Sequence, residues 1–176
     1  MPILETQRLR LRPFTIGDLD RVHEQFDGHP DVWRYDPGYP PTRTQRQSWL
    51  IYRIQELRMQ GVGCLGLELK ESSELIGCCG LEFVLHKGAT YNTPEIEIYY
   101  RLGRDYWGCG YATEASRETL RHAFEDLRLP RVLAHASSEN KASHSVMRRL
   151  GMTIEPHPLN AEEVIGVVLN YQSAAS

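Results

Sequence analysis

The sequence predicts an α/β fold, one mixed sheet with helices on both of its faces. Three observations predict it. QRLRLRPF at 7–14 and EIEIYYRL at 95–102 alternate polar and apolar residues, the strand period. Residues 43–60 and the stretch after Gly110 carry apolar residues three and four apart, the helix period. The two kinds interleave in the order β-α-α-β-β-β-α-β-α-β-β, with no repeat, linker or low-complexity run.

The elements follow in order. After the 7–14 strand, Thr15 can cap a helix starting at Ile16, with Asp18 and Asp20 near its positive end. Ile16, Leu19, Val22 and Phe26 form its apolar stripe, and Gly28 and Pro30 end it. Residues 29–41, HPDVWRYDPGYPP, are a proline-rich aromatic loop that suits either ligand contact or core packing. The 43–60 helix turns Leu50, Ile54 and Leu57 inward, and Gly61 and Gly63 break it. CLGLELK (64–70) and ELIGCCGLEF (74–83) read as a hairpin around ESSE.

In the 95–102 strand, Ile96, Ile98, Tyr100 and Leu102 share one face and Glu95, Glu97, Tyr99 and Arg101 the other. A third helix runs to about Leu127 and turns Ala112, Ala115, Leu120, Ala123, Phe124 and Leu127 inward, and Pro130 stops the chain there. RVLAHAS (131–137) is a strand. Asn140 caps a short helix with Val146, Met147 and Leu150 inside, and Gly151 closes it. Two short strands near 152–155 and 163–170 complete the chain.

At 176 residues the chain is long enough for one domain with a sizeable core, so residues 1–176 are expected to form a single unit. Net charge is −3 and the pI about 6.2, which argues against direct nucleic-acid binding. The alternating Arg8, Arg10 and Arg12 read as the wet side of a strand. No apolar run approaches the roughly 18 residues of a membrane span, and MPIL is too short for a signal peptide. The four cysteines include no C-x-x-C pair, so reduced thiols and a cytoplasmic location are expected. The seven histidines are scattered without metal-ligand spacing, so no metal site is expected.

One stretch raises a chemical question: YWGCGYATEA at 106–115 places two glycines where the third helix begins. A tight turn explains them. So does an anion site, because the first helical turn has unpartnered N–H groups and a positive dipole end. A P-loop requires a Lys after the second glycine, and none is present. A dinucleotide fingerprint requires a third glycine where Thr113 stands.

Three motifs in series carry a resemblance: ETQRLRLRP at 5–13, EIYYRL through YWGCGYATEA at 97–115, and ENKASHSVMRRLGM at 139–152. Together they resemble the GNAT superfamily of acyl-CoA N-acyltransferases, most closely the branch acting on serine or alanine N-termini of ribosomal proteins. The likeness spans Glu5 to about Ile154. It implies a GNAT fold, a mixed and mostly antiparallel sheet of six to seven strands with about four helices on both faces. It implies acetyl-CoA as cosubstrate and a primary-amine acceptor, either a protein N-terminal α-amine or a small-molecule amine; no metal and no membrane partner are expected from the residues, and the chain is expected to be a monomer or homodimer.

The resemblance also implies roles. Trp107, Gly108, Cys109, Gly110, Tyr111, Ala112 and Thr113 would cradle the pyrophosphate, mainly through backbone N–H groups. Tyr100, Arg101 and Leu102 would pair with the pantetheine arm, and Asn140 and Ser143 would meet it from the next helix. An N-cap is the plain alternative for Asn140. Cys109 stands where the family often has Lys or Arg, and is either a reactive thiol or a small loop residue. Tyr99 stands where the family often has Gly. Met147 stands where many relatives carry a tyrosine acid.

The chemistry is attack of an amine on a thioester carbonyl. An α-amine, with a reference pKa near 7.7–8.0, requires less help from a base than a lysine near 10.4. Glu97 and His135 are the candidate bases and Ser143 a candidate donor to the leaving thiolate. A buried strand partner, a satisfied core histidine and a helix hydroxyl are their structural alternatives. Trp33, Arg34, Tyr35 and Tyr99 are the candidate acceptor wall. With no Cys–His–acid signature, direct attack in a ternary complex is expected. A non-catalytic CoA-binding regulatory or scaffolding module of the same fold is the alternative.

Overall fold

The computed structural model describes residues 3–35, 37–87 and 92–170, so the first two residues of MPIL and Asp36 of the aromatic loop lie outside the described residues. Eight strands form one sheet: β1 Leu4–Glu5, β2 Leu9–Arg12, β3 Cys64–Leu69, β4 Leu75–Lys87, β5 Asn92–Leu102, β6 Arg131–Ser137, β7 Thr153–His157 and β8 Asn160–Leu169. Their order across the sheet is β1-β2-β3-β4-β5-β6-β8-β7. The expected six to seven strands become eight because β1, two residues long, folds back antiparallel on β2. Every neighbouring pair is antiparallel except β5 and β6.

The first helix departs from the expected regular stripe. Ile16–Asp18 is a 3-10 turn, Leu19–Val22 (α1) is one α turn, and His23–Asp27 is a π turn. Leu19, Val22 and Phe26 are buried as expected, but Ile16 is 55% exposed. Asp18 takes the inward position instead. Its carboxylate accepts both terminal nitrogens of Arg12 at 2.8 and 2.9 Å and the Thr15 N–H at 2.7 Å. Arg12 also donates to Glu68 at 2.8 Å, so this arginine belongs to an internal ion network, not to a wet face.

Helix α2, Arg43–Gln60, starts at a Thr42–Gln45 capping box and ends at Gly61, whose φ is +73°. Leu50 and Leu57 are buried as expected, and so are Arg46, Arg53 and Glu56. Helix α3, Tyr111–Arg121, passes into a π turn at His122–Asp126. That wider turn shifts the inward face, so Leu127 is 36% exposed where the 3.6 period placed it inside. Helix α4, Lys141–Arg149, buries Met147 and ends at Gly151, φ +78°.

Two apolar clusters sandwich the sheet. Leu9, Leu11, Leu65, Leu81, Ile98, Leu102, Val132 and Ala134 meet Ala115, Leu120, Ala123 and Met147 of the α3–α4 side. Phe14, Val22, Phe26, Trp33 and Leu50 cover the opposite face over Cys64, Leu75 and Cys78. The period-2 alternation of β5 assigns Ile98 and Leu102 to the first cluster and Tyr99 to the second.

Candidate active site

Strands β5 and β6 are parallel neighbours with a single ladder pair among the described residues, Glu97 with Leu133. Toward their starts the Arg131 guanidinium clasps the Glu95 carboxylate. Past Glu97 no pairing continues, so the backbone of Ile98–Leu102 faces a gap. An extended ligand arm can use those edge groups as a strand would.

The glycine loop sits at one end of this gap. Gly108 has φ +77° and Gly110 φ +84°, the left-handed region that glycine enters without cost. A Cβ on Gly108 would meet nothing within 4 Å, so conformation, and not crowding, calls for glycine there. The first helical bond of α3 runs from Glu114 N–H to the Gly110 carbonyl, 3.0 Å. The N–H groups of residues 111–113 therefore lie at the open, positive end of the helix. The Trp107 indole donates to the Leu102 carbonyl at 2.9 Å and anchors the loop. Cys109 is exposed, and its thiol donates to the Trp107 carbonyl at 3.6 Å. The Thr113 side chain is buried, which leaves its backbone N–H as the group facing the loop.

Helix α4 closes the gap from the other side. The Tyr100 hydroxyl lies 2.7 Å from Ser143 Oγ and 3.3 Å from the Ser143 carbonyl. Burial pushes the Tyr100 pKa up to about 12, against the Ser143 hydrogen bond. This pair joins a β5 hydroxyl to α4 one turn before Met147, which is buried in the core and carries no acid. Asn140 Oδ1 accepts the Ser143 N–H at 3.1 Å as an N-cap, so its amide NH2 remains the natural donor to a ligand.

On the opposite face, a cavity of about 520 Å3 is lined by Trp33, Pro37, Tyr39, Pro41, Gln45, Arg46, Trp49, Arg53, Glu82, Glu97, Tyr99 and Arg101. Glu97 joins it to the gap. Its Oε1 accepts the His135 N–H at 2.9 Å, and its Oε2 lies 3.0 Å from His135 Nδ1. A carboxylate only accepts, so the proton sits on Nδ1. That hydrogen bond to Glu97 holds the His135 pKa above the usual imidazole value, against desolvation. Tyr99 lies in the wall, and burial raises its hydroxyl pKa.

Glu82, on β4, is the register partner of Glu97. Arg53 Nη2 approaches its Oε1 at 2.9 Å, yet Oε1 is buried and accepts no directed hydrogen bond. Burial pushes the Glu82 pKa up to about 7, Arg53 opposing and Glu56 and Glu97 adding. A carboxylate that titrates near neutrality inside a cleft is a strong acid–base candidate. The sequence reading missed it. ELIGCCGLEF showed a strand, but nothing in that segment marked Glu82 as buried beside another carboxylate.

Several expected residues separate by face. Trp33 lines the cavity, whereas Arg34 and Tyr35 are exposed and are not among its lining residues. Arg101 turns into the cavity, 4.0 Å above the Trp33 ring, so only its backbone faces the gap expected for a pantetheine arm. Tyr100 and Leu102 point to the α3–α4 side. Arg46, stacked on Trp33 and Trp49 and ion-paired with Asp27, is among the lining residues where Arg34 was expected. Arg8, exposed as the sequence suggests, also ion-pairs with Glu114 at 2.6 Å and lies 4.3 Å over the Tyr111 ring, beside the glycine loop.

The sequence matches the family described as "Acetyltransferase (GNAT) domain" over residues 8–153. It is 31% identical over 156 residues to "Uncharacterized N-acetyltransferase p20" of Bacillus licheniformis, covering 88% of this chain and 84% of that protein. It is 39% identical over 162 residues to "FsC-acetyl coenzyme A-N(2)-transacetylase" of Aspergillus fumigatus, covering 86% of this chain and 65% of that protein. The crystal structure of the acetyltransferase from Agrobacterium tumefaciens str. C58 superposes with a TM-score of 0.79 at 28% identity, over 96% of this chain and 94% of that one.

Proposed function

The chain belongs to the GNAT acetyltransferase family, and on that premise we propose that it transfers acetyl from acetyl-CoA to a primary amine by direct attack in a ternary complex. The observation that carries this reading is the Glu82–Glu97 pair, which lies where the cavity meets the gap between β5 and β6. The thioester arm would enter the gap, with the pyrophosphate on the N–H groups at the start of α3. The amine would enter the cavity between Trp33, Tyr99 and the arginines. Holding both reactants removes most of the entropic barrier.

Glu82 takes the amine proton, since its pKa of about 7 is close to that of an α-amine. Glu97, held through both carboxylate oxygens by the His135 N–H and ring, fixes the strand position opposite Glu82. Ser143, relayed by Tyr100, protonates the departing thiolate. The acceptor is an α-amine of a protein N-terminus or a small molecule. The Aspergillus relative is named for an acetyl coenzyme A N(2)-transacetylation, which supports a nitrogen acceptor. We read residues 1–176 as one such domain. A cytoplasmic location is consistent with four free cysteines, and no helix among the described residues is long and apolar enough to cross a membrane.

An amine-panel screen read as free CoA tests the proposal. One amine class is expected to release CoA with the wild type and far less with Glu82→Gln. Binding of acetyl-CoA without thiol release for any amine would leave the non-catalytic module as the function.

A further inference from the structure

His86, His135 and His157 come from β4, β6 and β7, far apart in sequence and adjacent in space. One ring nitrogen of each lies within 4.8 Å of the other two. The ring centroids form a near-equilateral triangle of 5.7, 5.6 and 5.9 Å. All three rings are half-buried. The cluster lies on the same sheet face as Glu97, beyond the end of the apolar cluster under α2.

We propose that these three imidazoles form a binding site for a borderline-soft divalent cation of the Zn2+ type, with a fourth position open to water. Three features support it. His86 Nδ1 is buried and has no hydrogen-bond partner, a lone pair or N–H that packing leaves unused. His135 presents Nδ1 to the Glu97 carboxylate at 3.0 Å, which fixes Nε2 as the ligating atom. A carboxylate behind a histidine is the usual outer shell of a zinc ligand, where it sets the tautomer and raises basicity. Three imidazoles, without a thiolate or a further carboxylate among the clustered residues, suit Zn2+, Cu2+ or Ni2+ better than Mg2+ or Ca2+.

The geometry requires a modest closure. Zn–N bonds of about 2.0–2.1 Å imply nitrogens roughly 3.3 Å apart. Ring rotations cover that difference from 4.8 Å. His157 Nδ1 accepts the Leu159 N–H at 3.1 Å across an exposed turn, and this contact yields to let the ring face the ion. The scattered histidine spacing concealed the site because each ligand sits on a different strand.

The test is a Zn2+ titration of the metal-free protein, all variants carrying Cys109→Ser so that the exposed thiol does not compete. Calorimetry is expected to give one Zn2+ per chain. His86→Ala and His157→Ala are each expected to weaken binding by tenfold or more, and Glu97→Gln by roughly ten- to a hundredfold. Co2+ is expected to give the intense visible band of a low-coordinate site, while Mg2+ gives no binding heat. Circular dichroism confirms that each variant is folded, and His157→Ala changes only a half-buried position on a hairpin. Zn2+ affinities equal in the parent, His86→Ala and His157→Ala proteins would overturn the proposal. These binding readouts do not depend on acetyl transfer, so failure here and failure of the transferase reading are distinct results.

Discussion

Glu82 and Glu97 face each other as register partners of β4 and β5, and only Glu97 has both carboxylate oxygens committed, to the His135 N–H and ring. Glu82 keeps a buried oxygen without a hydrogen bond. Identical residue types on paired strands thus have unlike surroundings, and burial raises the Glu82 pKa to about 7.

The first prediction concerns pH and rate. A base must be unprotonated to act, so kcat/KM is expected to rise as pH passes the Glu82 value of about 7. Glu82→Gln is expected to lower the rate by about 10²–10⁴ and to remove that limb. A pH–rate profile of the variant that keeps a limb of unchanged midpoint would assign it to another group.

The same titration has a stability consequence. The folded pKa of Glu82, about 7, lies above the ordinary 4.5. The folded state therefore holds the proton more tightly, and this contribution is present below pH 4.5 and lost as pH rises to about 7. In the difference between wild-type and Glu82→Gln unfolding free energies, wild-type stability is expected to decline across that window. Denaturant unfolding at a series of pH values measures it, and a flat difference curve would contradict the assignment.

Tyr100 and Ser143 are expected to act as one unit. Each of Tyr100→Phe and Ser143→Ala removes the 2.7 Å hydroxyl contact. Both should lower kcat more than the KM for acetyl-CoA, and the double variant should be little worse than either single one. Additive losses in steady-state kinetics would separate their roles.

For the loop, Gly108→Ala and Gly110→Ala impose a Cβ on φ values of +77° and +84°. The cost is about 1–2 kcal/mol of local strain each, relieved when the loop leaves its cradle geometry. KM for acetyl-CoA is expected to rise several-fold while acceptor KM stays constant. An unchanged acetyl-CoA KM would return the glycines to a plain turn.

Arg46 and Asp27 are both nearly inaccessible and joined by two hydrogen bonds, at 3.0 and 2.6 Å. Arg46→Met removes the guanidinium from the buried Asp27 carboxylate and leaves it the His23 ring at 2.7 Å, a loss of up to about 3–5 kcal/mol. Thermal unfolding should show a large fall in Tm, whereas the exposed Arg34→Met should leave Tm nearly unchanged.

Much of the fold was legible in the sequence because its signals are local. Period-2 alternation assigned the two faces of β5, and Gly61 and Gly151 marked helix ends by backbone requirements of their own. The departures arose where a non-local partner prevailed. Asp18 displaced Ile16 from the inner face because Arg12 required a partner there, and a π turn rotated Leu127 outward. In the site, Glu97, His135 and Ser143 were legible as candidates, and the structure places Glu97 against His135 and Ser143 against Tyr100. Glu82, Arg46 and Arg53 were not, since burial and pairing give them their chemistry.

The sequence by itself determined the glycine loop and the order of the strands and helices from β2 onward, because period, caps and glycines are properties of neighbouring residues, and its three motifs in series carried the family resemblance. Tertiary structure alone decided which carboxylate is poised near neutrality, which arginines line the cavity and that three distant histidines share one corner. Those outcomes depend on desolvation and on distances between strands far apart in the chain, and neither is encoded in any local window.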